Sequence, residues 1–260
     1  MADFEQVDMR GSTFRDVSLT GSRLEEVDLS EVFVRNADLG GFTARGALLR
    51  GVELDGLIEG ALLVNGVDVA PLVEAELDRR YPDRPLIRDQ STPEAFRTAW
   101  AAIEARWEET IGRARTLPPQ TLHVRVREEW SFSETLRHLL FVVDAWLKRA
   151  VLHDPAPYDP WLMTFAEMGE VAGVPEPPDV APSLDELWSR LAERMTLVSE
   201  TFAALTPDQL GGSTTVTGDG YPMAGEYPMV RCLSAVTLEF WEHRLIAERD
   251  LTALSGSTQH

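Results

Sequence analysis

A segment near the C-terminus contains a carboxylate and an imidazole at a spacing that suits metal coordination. Glu239 and His243 are four positions apart in TLEFWEHRLIAERDL. In an α-helix this spacing places the two side chains next to each other on one face, about 5 to 6 Å apart at Cβ. With 43 acidic residues and 5 histidines in 260 residues, about 0.8 such pairs are expected by chance. The spacing alone is therefore weak evidence for a metal site.

A second pair with the same spacing, Glu134 and His138, has a different interpretation. Glu134 is the fourth residue of Ser131-Phe-Ser-Glu134, a capping box, so the start of a helix explains its carboxylate. His138 lies among apolar residues and is expected to be buried, where a charge is costly. It is either a metal ligand or a neutral core histidine bonded to a backbone carbonyl, and the second reading is favoured for a lone buried histidine.

Other reactive side chains are assigned no chemistry. The single cysteine, Cys232, excludes an intramolecular disulfide and a multi-thiolate site, so any metal is held by nitrogen and oxygen. Cys232 is about 10 Å from Glu239 along the same predicted helix and is interpreted as a core residue. Asp144 and Arg244 lie near potential ligands and either orient them or pair on the surface. The remaining histidines are predicted to be solvated: His123, His153 and His260.

Four segments with helix-start signals and long apolar periodicity must position these residues. Helices of more than twenty residues, apolar on several sides, indicate a four-helix bundle. Thr92 followed by Pro93 and two capping boxes mark three of the starts. The predicted helices run from Thr92 to about Thr116, from Ser131 to about His153, from Ser183 to about Leu205, and from Met229 to about Leu254.

Two long connections interrupt the predicted bundle. Residues 154–182 contain seven prolines, and residues 206–228 are rich in glycine. Loops of this length in a compact domain are usually lids or binding loops, so we expect them to cover one end of the bundle. Tyr221 and Tyr227 in the second loop could close over a substrate, although turn formation explains the neighbouring glycines and prolines equally well.

The N-terminal fifty residues follow a different rule, with a large apolar residue at every fifth position. A mostly small residue, starting at Ala2, precedes each of them by two positions. At Ala44 the preceding partner is the large Phe42, which suggests that both positions share one interior. A period of five fits neither a helix nor a strand, so the chain must turn a corner every five residues and form a solenoid. The apolar series is Phe4, Met9, Phe14, Leu19, Leu24, Leu29, Val34, Leu39, Leu49 and Leu54.

Between the repeats and the bundle lies a short connecting region. A hairpin around Asn65-Gly66 and a helix from about Pro71 to Arg80 are predicted, followed by a linker over 81–90. The expected organisation is therefore 1–66 repeat domain, 67–90 short helix and linker, and 91–254 helical bundle.

Composition limits the possible partners. A net charge of −19 repels phosphate backbones and anionic lipid headgroups, so neither nucleic acid nor a membrane is an expected partner. No stretch approaches the ~18 apolar residues of a membrane span and no secretory signal is evident, which predicts a cytoplasmic protein. A small-molecule substrate is the expected ligand, and the oligomeric state is not predicted.

The spacing and residue types of the N-terminal series resemble the pentapeptide-repeat family over residues 2 to about 56. The resemblance implies an all-β, right-handed square β-helix with four units per coil, here fewer than three coils. Some members of that family imitate DNA with an acidic surface. Residues 1–60 hold 12 acidic and 6 basic side chains, only modestly denser in negative charge than the rest, so a packing or capping role is favoured.

The bundle, over about residues 91–254, resembles the DinB-like superfamily, most closely its mycothiol-dependent branch typified by maleylpyruvate isomerase. The motifs are W-S-F-S-E-T-L-R-H-L around His138 and E-F-W-E-H-R with Glu239 and His243. The resemblance implies an all-α DinB-like four-helix bundle in which these three residues hold one zinc ion. Such a ligand set leaves a coordination position open, which is typical of a catalytic site.

This resemblance implies a function in thiol chemistry. The first hypothesis is a zinc-dependent S-transferase or isomerase that activates a low-molecular-weight thiol, of the mycothiol type, toward a small electrophile. A metal-dependent hydrolase that uses metal-bound water and a non-catalytic interaction protein that uses its repeat domain are the alternatives. Two histidines and one carboxylate do not by themselves distinguish zinc from nickel or iron.

Overall fold

The computed structural model describes residues 4–127, 129–165, 168–179 and 181–257, so Ala2 and His260 lie outside the described residues. The chain divides into two compact units, Met1–Leu57 and Ile58–His260. This division falls before the boundary expected at residue 66. The reason is the predicted hairpin, β1 (Leu63–Val64) paired antiparallel with β2 (Val67–Asp68), which leads directly into the first helix.

The repeat unit turns every five residues, as its sequence period predicts. A left-handed backbone conformation recurs at this interval along almost the whole series, and hydrogen bonds such as Ser12 N to Met9 O (3.1 Å) close a turn every ten residues. Glycine takes this conformation without strain. Where no glycine is present, the position is held by a polar residue. The left-handed residues are Gln6, Gly11, Asp16, Gly21, Glu26, Glu31, Asn36, Gly41, Gly46 and Gly51.

The apolar side chains of the repeat unit are exposed in the structure, so the predicted shared interior is not shown. Their exposed fractions range from 40% at Met9 to 67% at Phe4 and Leu54. The described residues 4–57 contain no β-strand, and a solenoid buries its side chains only where successive coils stack on each other. The corners are formed, but a β-helix is not shown.

Two short helices lead into the bundle, although 81–90 was predicted to be a linker. α1 (Ala70–Arg80) confirms the predicted helix, and α2 (Arg84–Arg88) follows it. Pro85 suits the first turn of α2, and Ile87 is fully buried. Arg84 bridges the two helices through Glu74 (2.8 Å) and Asp78 (2.6 Å). The linker prediction failed because these contacts join residues up to ten positions apart.

The long helices of the predicted bundle are present, with the predicted caps. Thr92 Oγ1 accepts from Ala95 N at 3.1 Å, and Ser131 and Ser183 form the two capping boxes. The core consists largely of aromatic and branched side chains, with Trp100, Trp107 and others fully or almost fully buried. The helices are α3 (Pro93–Ala114), α4 (Phe132–Val142), α5 (Leu184–Ala204), the short α6 (Pro207–Leu210) and α7 (Met229–Ser257).

The second long helix differs from its prediction because it changes type at Val143. A π-helix over Val143–Arg149 follows α4. Its first turn contains Asp144, which is fully buried and accepts hydrogen bonds from Arg194 Nε (2.9 Å) and Asp159 N (2.7 Å). π-Helical turns are rare and frequently occur near functional sites. Here the turn supplies a carboxylate that pairs with Arg194 of α5 and accepts the Asp159 N–H of the 154–182 connection.

The second connection is more regular than predicted. β3 (Ser213–Val216) pairs antiparallel with β4 (Gly225–Pro228), so residues 213–228 form a hairpin rather than an irregular loop. A short 3-10 helix, Pro119–His123, precedes α4. None of the described helices is long and apolar enough to cross a membrane.

Candidate metal centre

Three side chains from α4 and α7 converge at one point inside the bundle. Nε2 of His138 lies 3.6 Å from Oε2 of Glu239, and Nε2 of His243 lies 3.0 Å from the same oxygen. One ligand atom from each residue lies within 4.8 Å of the others, and no other group of this kind occurs in the described part of the chain. The structure therefore brings together all three residues that the sequence predicted.

The helices position the ligands in different ways. The capping box at Ser131 fixes where α4 begins, and His138 follows two turns later with only 4% of its surface exposed. Glu239 and His243 occupy adjacent turns on one face of α7. The imidazole centroids of His138 and His243 are 4.8 Å apart. The ligands therefore lie on rigid helices rather than on mobile segments.

The orientation of the His138 ring is set by the backbone of the 154–182 connection. Nδ1 lies 3.1 Å from the carbonyl oxygen of Met163. A carbonyl oxygen only accepts hydrogen bonds, so Nδ1 carries the proton. Burial lowers the pKa of His138, which keeps the imidazole neutral near pH 7. In this state Nε2 has a lone pair available for a metal.

The geometry tests whether a cation fits. Nε2 of neutral His138 and the Glu239 carboxylate are both acceptors, and they face each other across 3.6 Å with no proton to share. A tetrahedral ion with bonds of about 2.0 to 2.2 Å separates its ligand atoms by about 3.3 to 3.6 Å. The 3.6 Å between Nε2 of His138 and Oε2 of Glu239 matches that spacing, and the 3.0 Å between Nε2 of His243 and the same oxygen is slightly shorter than it. The three residues fit a single divalent ion.

Glu239 supplies the negative charge of the site. Burial raises the pKa of its carboxyl group. Hydrogen bonds and charge interactions with His138 and His243 more than offset this rise and lower the pKa to about 2. The carboxylate is therefore ionised at neutral pH. Its side chain is 43% exposed, whereas those of His138 and His243 are 6% and 16% exposed. The ligand set is thus open to solvent on the Glu239 side.

Contacts behind the ligands were not predicted from the sequence. Arg137 is buried and donates to the carbonyl oxygens of Trp161 and Pro178, both at 2.8 Å. The main-chain N of Met163 donates to the Arg137 carbonyl at 3.1 Å. Together these bonds fix the segment that holds His138. The only signal in the sequence was an arginine next to a candidate ligand, and the sequence does not reveal the carbonyl groups to which it donates.

Trp130 covers the two imidazole rings. Its ring centroid is 4.5 Å from that of His138 and 5.7 Å from that of His243. Phe141 lies one helical turn beyond His138, with a centroid distance of 6.0 Å. These aromatic neighbours limit the access of water to the histidine side of the site.

Residues that were not assigned as ligands lie elsewhere. The capping role of Glu134 is confirmed, since its Oε2 accepts from Ser131 N at 2.8 Å. Burial raises the pKa of Cys232 to about 11, so this buried thiol stays protonated. His123 and His153 are exposed, as predicted.

Asp144 and Arg244 form ion pairs with residues other than the three candidate ligands. Asp144 is buried in the ion pair with Arg194, and Arg244 Nε donates to the Arg106 carbonyl and to Thr110 Oγ1, both at 3.0 Å. Arg244 Nη2 also lies 3.8 Å from Oε1 of the partly exposed Glu248.

Two helices of the bundle, α4 and α7, direct two imidazoles and one carboxylate toward a position that a cation can occupy. This arrangement is that of a metal-binding helical bundle. The family model described as the DinB superfamily matches residues 102–247, more than half of the chain. The chain therefore belongs to the DinB superfamily. A model of pentapeptide repeats matches residues 2–36 in eight copies. No curated protein and no solved structure matches the chain.

Proposed function

We propose that this protein is a divalent-metal-dependent enzyme that activates a low-molecular-weight thiol, of the mycothiol type, for S-transfer to a small electrophile or its isomerisation. The observation that carries the proposal is the convergence of His138, Glu239 and His243 at separations of 3.0 and 3.6 Å. Two histidines and one carboxylate form an incomplete ligand set for a four-coordinate ion, as in catalytic sites.

When bound, a divalent ion would supply an open coordination position at which a thiol loses its proton at neutral pH. The chain's own residues prepare that position. Glu239 offsets one positive charge, and the neutral His138 presents Nε2 because Met163 holds its Nδ1 proton. Trp130 shields the imidazoles from water. Solvent and small molecules reach the site along the exposed side of Glu239.

Zinc is the metal that we propose. Zinc accepts histidine nitrogen and carboxylate oxygen in a tetrahedral arrangement, which agrees with the residue types of the site and with the 3.6 Å between His138 Nε2 and Glu239 Oε2. Nickel and iron accept the same donors, so metal analysis of the purified protein is part of the test. Activation of a small thiol in this way is consistent with the cytoplasmic location that the sequence predicts.

Metal content and thiol-dependent turnover test the proposal together. The full chain, loaded with one equivalent of zinc, is incubated with 1-chloro-2,4-dinitrobenzene and either mycothiol, cysteine or no thiol. We expect thioether formation that requires both zinc and a thiol. His138→Ala and His243→Ala should lose metal and turnover together, whereas His123→Ala, which changes an exposed histidine, should keep both. Failure of the wild-type chain to bind any divalent metal would refute the proposal.

Hydrolysis is the competing reaction at the same site, because the 43% exposure of the Glu239 side chain also admits water. Release of 4-nitrophenol from 4-nitrophenyl acetate by the zinc-loaded protein, without added thiol, would favour a hydrolase. If added thiol raises the rate at which the zinc-loaded protein consumes 1-chloro-2,4-dinitrobenzene by less than twofold, the thiol proposal is wrong.

We also propose that the repeat unit forms the square β-helix that its sequence predicts, and that it contacts a partner. A left-handed residue at nearly every fifth position supports the corners. Stacking would bury the apolar side chains, so the partner would contact the outer face of the coils. Amide hydrogen exchange in the full chain tests the fold. Slow exchange across 4–57 is expected for stacked coils, and exchange at unprotected rates would exclude them.

A further inference from the structure

Four aromatic side chains pack together beside the metal centre, of which Phe141 is buried and the other three are partly exposed. Phe141 and Trp146 come from α4 and the π-helix, Phe165 from the first connection, and Tyr221 from the β3–β4 hairpin. Tyr221 contacts the other three, with centroid distances of 5.7 Å to Phe141, 5.8 Å to Trp146 and 5.5 Å to Phe165. Phe141 is in turn 6.0 Å from His138. We call these four residues the aromatic wall.

The main chain of Tyr221 is held in place by the opposite connection. The Tyr158 hydroxyl donates to the Tyr221 carbonyl at 2.9 Å and accepts from the Tyr221 N–H at 2.8 Å. Arg149 Nη2 donates to the Gly218 carbonyl at 2.8 Å, which fixes the hairpin tip. Both connections therefore help to place the Tyr221 ring against the other three rings of the aromatic wall.

The hydroxyl group of Tyr221 differs from those of the two neighbouring tyrosines. Tyr158 uses its hydroxyl to hold Tyr221, and Tyr227 donates to the Met223 carbonyl at 2.8 Å. In the described part of the chain, the Tyr221 hydroxyl has no hydrogen-bond partner. Burial and the nearby Tyr227 and Glu239 raise its pKa, although Arg231 lowers it in part. The phenol therefore stays protonated and is an available donor.

We propose that the aromatic wall binds an aromatic ring of the substrate and that the Tyr221 hydroxyl donates a hydrogen bond to an oxygen atom on that ring's substituent. This assignment rests on the proposed function, because it places the substrate next to a metal-activated thiol. Small-molecule sites usually combine an apolar or aromatic lining with a few polar groups that fix orientation. The wall and the unpaired hydroxyl supply these two parts.

An aromatic ligand fits this surface better than an aliphatic one of equal size. Aromatic pairs with centroids 4.5 to 7 Å apart contribute beyond their buried area, by an amount equivalent to about 2- to 10-fold in affinity. A saturated ring presents no π-face and lacks this gain. Planarity is therefore the property that distinguishes substrates from similar molecules at the wall.

Equilibrium binding of two matched carboxylates tests the assignment without requiring turnover. The zinc-loaded full chain is titrated calorimetrically with benzoate and with cyclohexanecarboxylate, which share a carboxylate and a six-membered ring but differ in planarity. Any direct contact between carboxylate and zinc affects both ligands alike. We expect benzoate to bind at least threefold more tightly.

Variants separate the ring contact from the hydrogen bond. Tyr221→Phe should weaken benzoate binding about 10-fold, since it removes one donor to a charged acceptor. Tyr227→Phe, the matched control on the same hairpin, should bind as the wild type because its hydroxyl is already donated to Met223. Phe165→Leu should reduce the preference for benzoate over cyclohexanecarboxylate.

Equal affinities for the two carboxylates, or a Tyr221→Phe variant that binds as the wild type does, would overturn the assignment. These outcomes are distinguishable from failure of the proposed function. Thiol transfer by a protein with no preference for benzoate leaves the function intact and removes the wall as its substrate site. Selective benzoate binding that depends on Tyr221, without thiol-dependent turnover, would support the aromatic wall as a binding site and refute the proposed thiol transfer.

Discussion

Nδ1 of His138 and the carbonyl oxygen of Met163 lie 3.1 Å apart, and this contact joins a candidate metal ligand to the connection that follows the π-helix. The bond keeps the proton on Nδ1 and leaves Nε2 to face Glu239. Outer contacts of this kind orient a ligand and raise its basicity. The affinity of the site should therefore depend on residues that do not touch the metal.

Arg137→Gln tests this dependence. The wild-type guanidinium holds the Trp161 and Pro178 carbonyls, so its loss should release the Met163 segment and weaken zinc binding about 10- to 100-fold. Competition with a chromophoric chelator measures the affinity. Arg115→Gln, which removes an exposed ion pair with Asp185, is the control. Equal zinc affinity in Arg137→Gln and the wild type would show that the segment needs no such support.

The ligands themselves should be more sensitive. Glu239→Gln keeps the size of the side chain but removes its charge, and we expect zinc affinity to fall by more than about 100-fold, beyond the effect of an outer contact. Glu242→Gln changes an exposed carboxylate on the same helix and serves as the matched control. A Glu239→Gln protein that retains zinc through dialysis against a chelator would remove Glu239 from the ligand set.

Metal binding should weaken on acidification, because protons compete for the histidine lone pairs. Glu239, with its pKa near 2, stays ionised over the useful range. Burial lowers the pKa of His138, so this ligand protonates only below the ordinary value of about 6.5. Equilibrium dialysis from pH 8 to pH 4 should show zinc loss beginning below about pH 6.5. Release that is complete at pH 7 would contradict a neutral, buried His138.

The stability of the metal-free protein should also fall on acidification. His138 binds a proton more readily unfolded than folded, so its contribution to stability is present above about pH 6.5 and is lost as the pH falls toward its lowered native pKa. Urea unfolding of the metal-free wild type and of His138→Gln at several pH values measures this contribution. The free energy of unfolding of the wild type, relative to that of His138→Gln, should decrease as the pH is lowered.

Local signals in the sequence predicted the helices well. The Ser131–Glu134 capping box needs only four consecutive residues, and the structure has it as predicted. The three candidate ligands were predicted because each lies at a family motif on a long helix, and the structure brings them together. The five-residue corners are likewise local, since a single left-handed residue forms each one.

Contacts between distant residues account for what was missed. Met163 is 25 positions from His138, and nothing in its own sequence indicates that its carbonyl holds a ligand. The short helix α2 depends on Arg84 and residues of α1, and the hairpin depends on pairing of residues 213–216 with 225–228. Stacking of the repeat coils is also non-local, which explains why the corners followed from the period while the expected interior did not.

The buried pair of Asp144 and Arg194 should be the most damaging ion pair to break. Asp144 is fully buried, whereas the Arg194 side chain is 17% exposed, and their atoms are 2.9 Å apart. Burial raises the pKa of Asp144, and the nearby Arg194 and Lys148 only partly oppose this. Arg194→Met would leave the carboxylate without its main partner, at a cost of about 3 to 5 kcal/mol in unfolding free energy.

Chemical denaturation at pH 7 measures this loss, with Arg115→Gln as the control because its exposed pair contributes about 0 to 1 kcal/mol. The double variant Asp144→Asn with Arg194→Met removes both charges, so it should regain part of the stability lost in the single variant. Arg194 also lies 3.3 Å from Asp159 in the first connection. If Arg194→Met loses less than about 1 kcal/mol, another group neutralises Asp144, and the π-helical turn does not rely on this pair.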